Sequence, residues 1–311
     1  MSLLYWLEAI RNPFLDTVVQ LITHLGSEML FIVVGIFMLW CMDKKQGYFI
    51  LLTGFFGVYL NQFLKITCRV PRPWVLDPEF TIVESARAEA TGYSFPSGHT
   101  QTAIGLFGGL ALCRRETWFR IICVVICVLV PFSRMYLGVH TPWDVGVAMV
   151  MAAVLALGMW YLFSKVGYTR KLMFPLLGVL SVMALAFLLY VLLWQFPANI
   201  DGDNLLSAKE NACTLAGALL GLWVTYLFDD FVRPFHTQAP LLGQILKFVL
   251  GFILVLGIME GSKPLFNLLF GEGDLLARVI RYFLTVLFAG VIWPLTFRFF
   301  TKIGKKAQAR S

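Results

Sequence analysis

The sequence predicts an all-α polytopic membrane protein, and three observations carry that prediction. Hydrophobic residues make up 59% of the 311 and charged residues only 14%, with a mean hydropathy of +0.78, which is too apolar for a water-soluble globular domain. Apolar stretches near the roughly 20 residues needed to cross a hydrocarbon core recur along the whole chain. The polar breaks between them are too short to hold a soluble domain.

Taken in order, the stretch Leu3–His24 places Leu3, Leu4, Leu7, Ile10, Phe14, Val18, Leu21 and Ile22 at helical spacing, interrupted by Glu8, Arg11, Asn12, Pro13 and Asp16. That pattern predicts an amphipathic helix in the membrane interface rather than a secretory signal. Nine spans are expected after it, at about 28–42, 48–66, 97–113, 118–135, 143–163, 172–195, 211–229, 242–260 and 279–298. Threading them puts fifteen of the 25 basic residues on one side, among them Lys44, Lys45, Arg114, Arg115, Arg120, Arg233, Arg298 and the tail Lys302, Lys305, Lys306 and Arg310. That side is expected to be cytoplasmic. The same placement accounts for the net charge of +7, so no nucleic-acid partner is expected. Cys41, Cys113, Cys123, Cys127 and Cys213 lie in or beside spans, without metal-ligand or disulfide spacing. Gly217/Gly221 and Gly105/Gly109 are spaced for close helix contact, which raises a homodimer as an expectation. His24 and His236 read as ordinary interfacial histidines.

The division expected is a first segment over 1–25, a core over 26–166 holding all the unusual chemistry, and accessory helices with a basic cytoplasmic tail over 167–311. Three polar segments of the core fall on the non-cytoplasmic side, where membrane proteins keep such groups only for use: Lys65–Pro73, Tyr93–His99 and Ser133–Asp144. Lys65 and Arg72 supply cations, and Pro71 and Pro73 keep the intervening chain extended. Pro96-Ser97-Gly98-His99 opens a helix whose unpaired N–H groups can seat an anion. Arg134 ends one span; Thr141 as N-cap and Pro142 as first helical residue open the next, so Asp144 lies in the first turn and can reach His140. A carboxylate beside an imidazole fixes its tautomer and leaves the other nitrogen nucleophilic. Three cations, two histidines and one aspartate make a phosphoryl-transfer set, and no clustering of carboxylates, His or Cys is present to hold a metal, so none is expected.

Lys65-(six residues)-Arg72-Pro73, then Pro96-Ser97-Gly98-His99, then Ser133-Arg134-(five residues)-His140-(three residues)-Asp144 resembles the type 2 phosphatidic acid phosphatase superfamily, membrane lipid phosphatases related to vanadium haloperoxidases. The resemblance covers about Asn12 to Val166. It implies a six-helix core that counts Leu3–His24 as its first helix, with about four additional C-terminal transmembrane helices. It implies a phosphohistidine on His140, oriented by Asp144, and His99 as acid toward the leaving lipid oxygen and then base toward water. Lys65, Arg72, Arg134, Ser97 and Gly98 would hold the phosphate, with no cofactor. The expected partner is a phosphorylated lipid within the membrane, met at the outward face of a bacterial inner (plasma) membrane. Polyprenyl pyrophosphate, phosphatidic acid or phosphatidylglycerol phosphate, and sphingoid-base phosphates all remain open as substrates, and a lumenal site in an endoplasmic reticulum is the other location. A lipid transporter or flippase, or a lipid phosphotransferase on the same core, stays as the alternative function. The charged loop Trp74–Thr91 is expected to gate headgroup access with Leu3–His24.

Overall fold

A computed structural model describes residues 1–303, which are helical and loop with no strand among them. Lys305, Lys306 and Arg310 of the expected basic tail lie outside the described residues. The chain forms two compact units: one of residues 1–35, 49–172 and 195–208, the other of 36–48, 173–194 and the segment from 209 onward.

Leu3–His24 is two helices, not one. α1 (Ser2–Ala9) stops and α2 (Pro13–Thr23) restarts because Asn12 is extended and its side chain accepts the Leu15 N–H at 3.0 Å, while Pro13 occupies N1. α3 (Glu28–Phe37) follows after a 3₁₀ turn, His24–Gly26. α4 (Lys44–Cys68) ends on Arg69, whose φ of 51° is a left-handed cap, and Pro73 opens the short α5 (Pro73–Leu76). After a long loop come α6 (Gly98–Ala103), a π turn Ile104–Gly108 and α7 (Gly109–Cys113). α8 (Thr117–Tyr136) and α9 (Pro142–Lys165) complete the helices of the first unit, and the three pieces spanning 98–113 pack against both.

The second unit is built on α10 (Arg170–Leu193), α11 (Gly202–Leu227), α12 (Leu241–Gly261), α13 (Lys263–Phe270), α14 (Leu275–Leu287) and two short closing helices, α15 (Trp293–Leu295) and α16 (Phe297–Phe300). Gly217 and Gly221 make their close helix contact inside this unit. A Cβ on Gly217 would lie 2.2 Å from the Val279 carbonyl oxygen, and one on Gly221 would lie 2.7 Å from Val286 Cβ.

Among the described residues seven helices, alone or run together, are long and apolar enough to cross a membrane: Lys44–Leu76, Thr117–Tyr136, Pro142–Lys165, Arg170–Leu193, Gly202–Val232, Leu241–Phe270 and Leu275–Leu295. Nine were expected. The stretch 28–42 is one limb of a pair, Pro13–Gly26 and Glu28–Met42, bent by 48°, and counting that pair gives eight. The stretch 97–113 is also short and carries the π turn, so it too falls below a full crossing length.

Candidate active site

All eight residues singled out from the sequence lie in the first unit. Six of them, Lys65, Arg72, Ser97, Arg134, His140 and Asp144, are buried, and Arg134 and Ser97 are completely so. Burying three cations demands partners. Main-chain oxygens supply most of them: Lys65 Nζ donates to Tyr93 O at 2.5 Å, and Arg72 donates to Thr91 O, Gly92 O and Val139 O at 2.7–3.1 Å. Arg134 Nη1 donates to Thr23 Oγ1 at 2.9 Å, and its buried Nε has no hydrogen-bond partner among the described residues.

Backbone bonds sew the three motifs together. Ser94 N–H donates to Val70 O at 2.9 Å, and Ser97 N–H donates to Asp144 O at 3.1 Å. Gly138, with φ of 81°, turns the chain between α8 and His140, and a Cβ there would lie 2.8 Å from Arg11 Nη2, so glycine is needed on both counts.

The expected cap forms at α9. Thr141 Oγ1 accepts the Asp144 N–H and Asp144 Oδ2 accepts the Thr141 N–H at 2.7 Å, a reciprocal capping box behind Pro142. Asp144 Oδ2 lies 3.6 Å from His140 Nδ1, beyond hydrogen-bond length. Ser94 closes that gap: its hydroxyl donates to Asp144 Oδ2 at 2.6 Å and lies 3.3 Å from His140 Nδ1.

Guanidinium nitrogens only donate. Arg72 Nη1, 3.2 Å from His140 Nε2, therefore faces a lone pair on that nitrogen. The ring proton must then sit on Nδ1, where the Ser94 oxygen can accept it. Burial, and after it Arg72, Arg134 and Lys65, hold the His140 imidazolium well below the ordinary histidine value, so the ring is neutral. A neutral imidazole with its free lone pair on Nε2, beside three cations, is equipped to attack an electrophile carrying negative charge.

The phosphate-seat expectation at Ser97 and Gly98 is modified. The Ser97 N–H is spent on Asp144 O, while its hydroxyl accepts from the Thr100 hydroxyl at 3.0 Å and caps the helix. The hydroxyl proton of Ser97 and the Gly98 N–H, first in the helix, remain as donors. His99 is more open than the others; its Nε2 lies 3.1 Å from Glu89 Oε2. The His99 hydrogen bond pulls the Glu89 carboxyl below the usual carboxylate range, against the opposing effect of burial.

His24, read from the sequence as an ordinary interfacial histidine, has a partner: its Nδ1 lies 3.3 Å from Glu89 Oε1. Ser94, Thr23, Glu89 and Asn61, whose Nδ2 donates to Pro96 O at 3.3 Å, were not singled out as site residues. Asn61 sits one turn before Lys65 on α4, a signal that helical spacing carried; Thr23 and His24 are distant in sequence from everything they touch.

The loop over this site is not loose. Ala86 is fully buried with Leu7, Val19, Tyr136, Leu137 and Val139. Val83 N–H donates to Leu137 O at 3.1 Å, Tyr5 Oη donates to Asp77 Oδ2 at 2.7 Å, and Glu8 accepts from the Thr81 hydroxyl and N–H.

A family model described as the PAP2 superfamily matches residues 46–168, and a second, PAP2 superfamily phosphatase, transmembrane extension, matches 213–306. The chain belongs to the PAP2 superfamily. It is 32% identical over 151 residues to phosphatidylglycerophosphatase B of Bacillus subtilis (strain 168), covering 44% of this chain and 69% of that protein. It is 24% identical over 272 residues to sphingosine-1-phosphate phosphatase 2 of Mus musculus, covering 81% of this chain and 73% of that protein. Undecaprenyl-diphosphatase BcrC of Bacillus subtilis (strain 168) is 26% identical over 147 residues, covering 47% of this chain and 73% of that protein. No solved structure matches the chain.

Proposed function

We propose that this protein is a lipid phosphate or pyrophosphate phosphatase working at the non-cytoplasmic membrane face through a phosphohistidine on His140, without a metal ion. The similar proteins named above are phosphatases of lipid phosphates, which supports the substrate class. The observation that carries the mechanism is the approach of Arg72 Nη1 to His140 Nε2 at 3.2 Å, because a donor there favours an unprotonated Nε2 as the nucleophile.

In the first step the Nε2 lone pair bonds to phosphorus and the bond from phosphorus to the lipid oxygen breaks. The electron pair stays on that oxygen, which takes a proton from His99. The imidazolium so formed on His140 is balanced by Asp144 through Ser94. Water then gives a proton to His99 as its oxygen bonds to phosphorus, and the pair of the breaking phosphorus–nitrogen bond returns to His140. Lys65, Arg72 and Arg134 meet the charge on the equatorial oxygens, which is the electrostatic task that a metal performs elsewhere. The outward face is supported by the excess of basic residues that the sequence reading places on the opposite side.

The test is phosphate release from a panel of lipid phosphates and pyrophosphates by detergent-purified protein in excess EDTA, beside His140→Ala. Release by the wild type and none by the variant, with acid-labile, base-stable labelling of the chain by radioactive phosphate, is the expected result. Loss of activity in EDTA that returns with a divalent cation would overturn the metal-free reading.

A further inference from the structure

The Glu89 carboxylate stands between two histidines and uses a different oxygen for each. Oε2 lies 3.1 Å from His99 Nε2, and Oε1 lies 3.3 Å from His24 Nδ1. Backbone packing makes the arrangement possible. The turn His24–Gly26 packs against α6, and a Cβ on Gly26 would lie 2.8 Å from the His99 carbonyl oxygen and 3.2 Å from its Cβ. Only a residue without a side chain lets the turn come so close. From the other direction Glu89 is delivered by the anchored loop, three residues after the fully buried Ala86. Side-chain exposure rises from 17% at His99 to 34% at Glu89 and 49% at His24, so the row leads outward from the site.

A histidine that protonates a leaving oxygen must carry its extra proton beforehand; burial first, and with it Arg134 and Arg72, opposes that and lowers the His99 imidazolium to about 4, while the Glu89 hydrogen bond works against them. The charged groups facing His99 are Glu89, Arg134 and Arg72; those facing Glu89 are His99, His24 and Arg134. Among them only Glu89 is positioned to offset the guanidiniums at the His99 ring.

We propose that Glu89, steadied by His24 through its second oxygen, is a positioning residue that fixes the His99 ring by Nε2 and favours its acid form. The inference rests on the reading of His99 as the acid and base of the reaction. With Nε2–H committed to Glu89, the proton that moves is the one on Nδ1. It passes to the lipid oxygen as the bond from that oxygen to phosphorus breaks. His99 is left neutral, and the attacking water restores the Nδ1 proton in the second step, so nothing but water is consumed.

The experiment uses the full chain in detergent and two phosphate monoesters with the same alkyl tail, one leaving as an alcohol and the other as a nitrophenol that needs little help from an acid. For Glu89→Gln, kcat on the alkyl ester is expected to fall roughly 10- to 100-fold, within what an acid catalyst contributes. The alkaline limb of its pH profile moves to lower pH, because a His99 without its counter-charge loses the proton sooner. The nitrophenyl ester loses far less, and KM stays within about threefold for both, since an interaction used only in the transition state is removed. Glu89→Asp restores part of the loss, and His24→Asn gives a smaller change in the same direction. An equal loss on both esters with an unmoved pH profile would reduce Glu89 to a structural role. A fall in KM or a gain in activity would mean that Glu89 competes with phosphate for the site. Either result overturns the proposal. His99→Ala separates the two layers: if it still turns over the alkyl ester, the reading of His99 fails; if it is inactive while Glu89→Gln matches the wild type, only the present inference fails.

Discussion

The two units bury charge in opposite ways. In the second, the half-buried cations have carboxylates of their own: Lys44 Nζ meets Asp229 at 2.7 Å and lies over the Phe235 ring, while the buried Lys247 is the exception, donating to Thr237 O at 2.8 Å and lying over Phe297. Arg278 pairs with Glu210 at 2.5 Å. In the first, Lys65, Arg72 and Arg134 gather around His140, and the carboxylates of Asp144 and Glu89 are turned toward histidines. A charge that is matched one to one holds a fold together. An excess of one sign, kept dry and held on main-chain oxygens, is complete only with a guest of the other sign.

Four measurements would break or sharpen that contrast. The largest effect is expected for Arg134→Ala, which removes the cation with an unpartnered Nε; kcat/KM for lipid phosphate should fall on the order of 10²- to 10³-fold, as for loss of one donor to a developing oxyanion. A loss under threefold would mean that Arg134 is structural. Next, Asp229→Asn breaks a matched pair and should cost about 3 kcal/mol of unfolding free energy while leaving KM unchanged, whereas Lys44→Met with Asp229→Leu restores stability. A changed KM would put the pair in the service of the site and end the contrast. Ser94→Ala should lower kcat about tenfold by leaving Asp144 3.6 Å from the imidazole, and unaltered kinetics would show that Asp144 needs no bridge. The smallest effect is with pH. Because burial depresses His140, the unfolded chain binds the extra proton first, so stability should decline as pH falls below about 6.5, the ordinary histidine value, and His140→Asn should flatten that decline in thermal unfolding.

How far the sequence reached follows from the range of each interaction. Lys65, Arg72, His140 and Asp144 were legible because their spacings to prolines and helix starts are local, and the cap Thr141-Pro142-x-Asp144 forms as its order dictates. Ser94 was not, because a serine three residues before Ser97 carries no signal until the turn folds it between Asp144 and His140. His24 and Glu89 were missed for a similar reason: they are far apart in the chain and meet only because Gly26 admits α6. The break at Asn12 was present in the sequence as an N-cap followed by proline, but the hydrophobic spacing ran straight through it. Gly217 and Gly221 carried a true signal of close contact whose partner, α14, no spacing could name.

The anchored loop has a consequence for experiments that shorten it. Deleting 78–88 would remove Ala86 from a cluster with Leu7, Val19 and Tyr136, and Thr81 from Glu8 and Arg11, so the deletion would damage folding before it tested gating. Single changes at exposed positions such as Glu79 address gating without that damage.

The carbonyl partners of Lys65 and Arg72 also bear on turnover. The carbonyl oxygens of Tyr93, Thr91, Gly92 and Val139 hold these cations on neutral acceptors. On the proposed reading an arriving phosphate would share or displace those bonds, and a departing one would find them ready to re-form. The net gain on binding is therefore smaller than three bare cations would give. On the proposed reading, shallow binding of inorganic phosphate would let the product go, so the same main-chain groups that steady the cations would favour fast release.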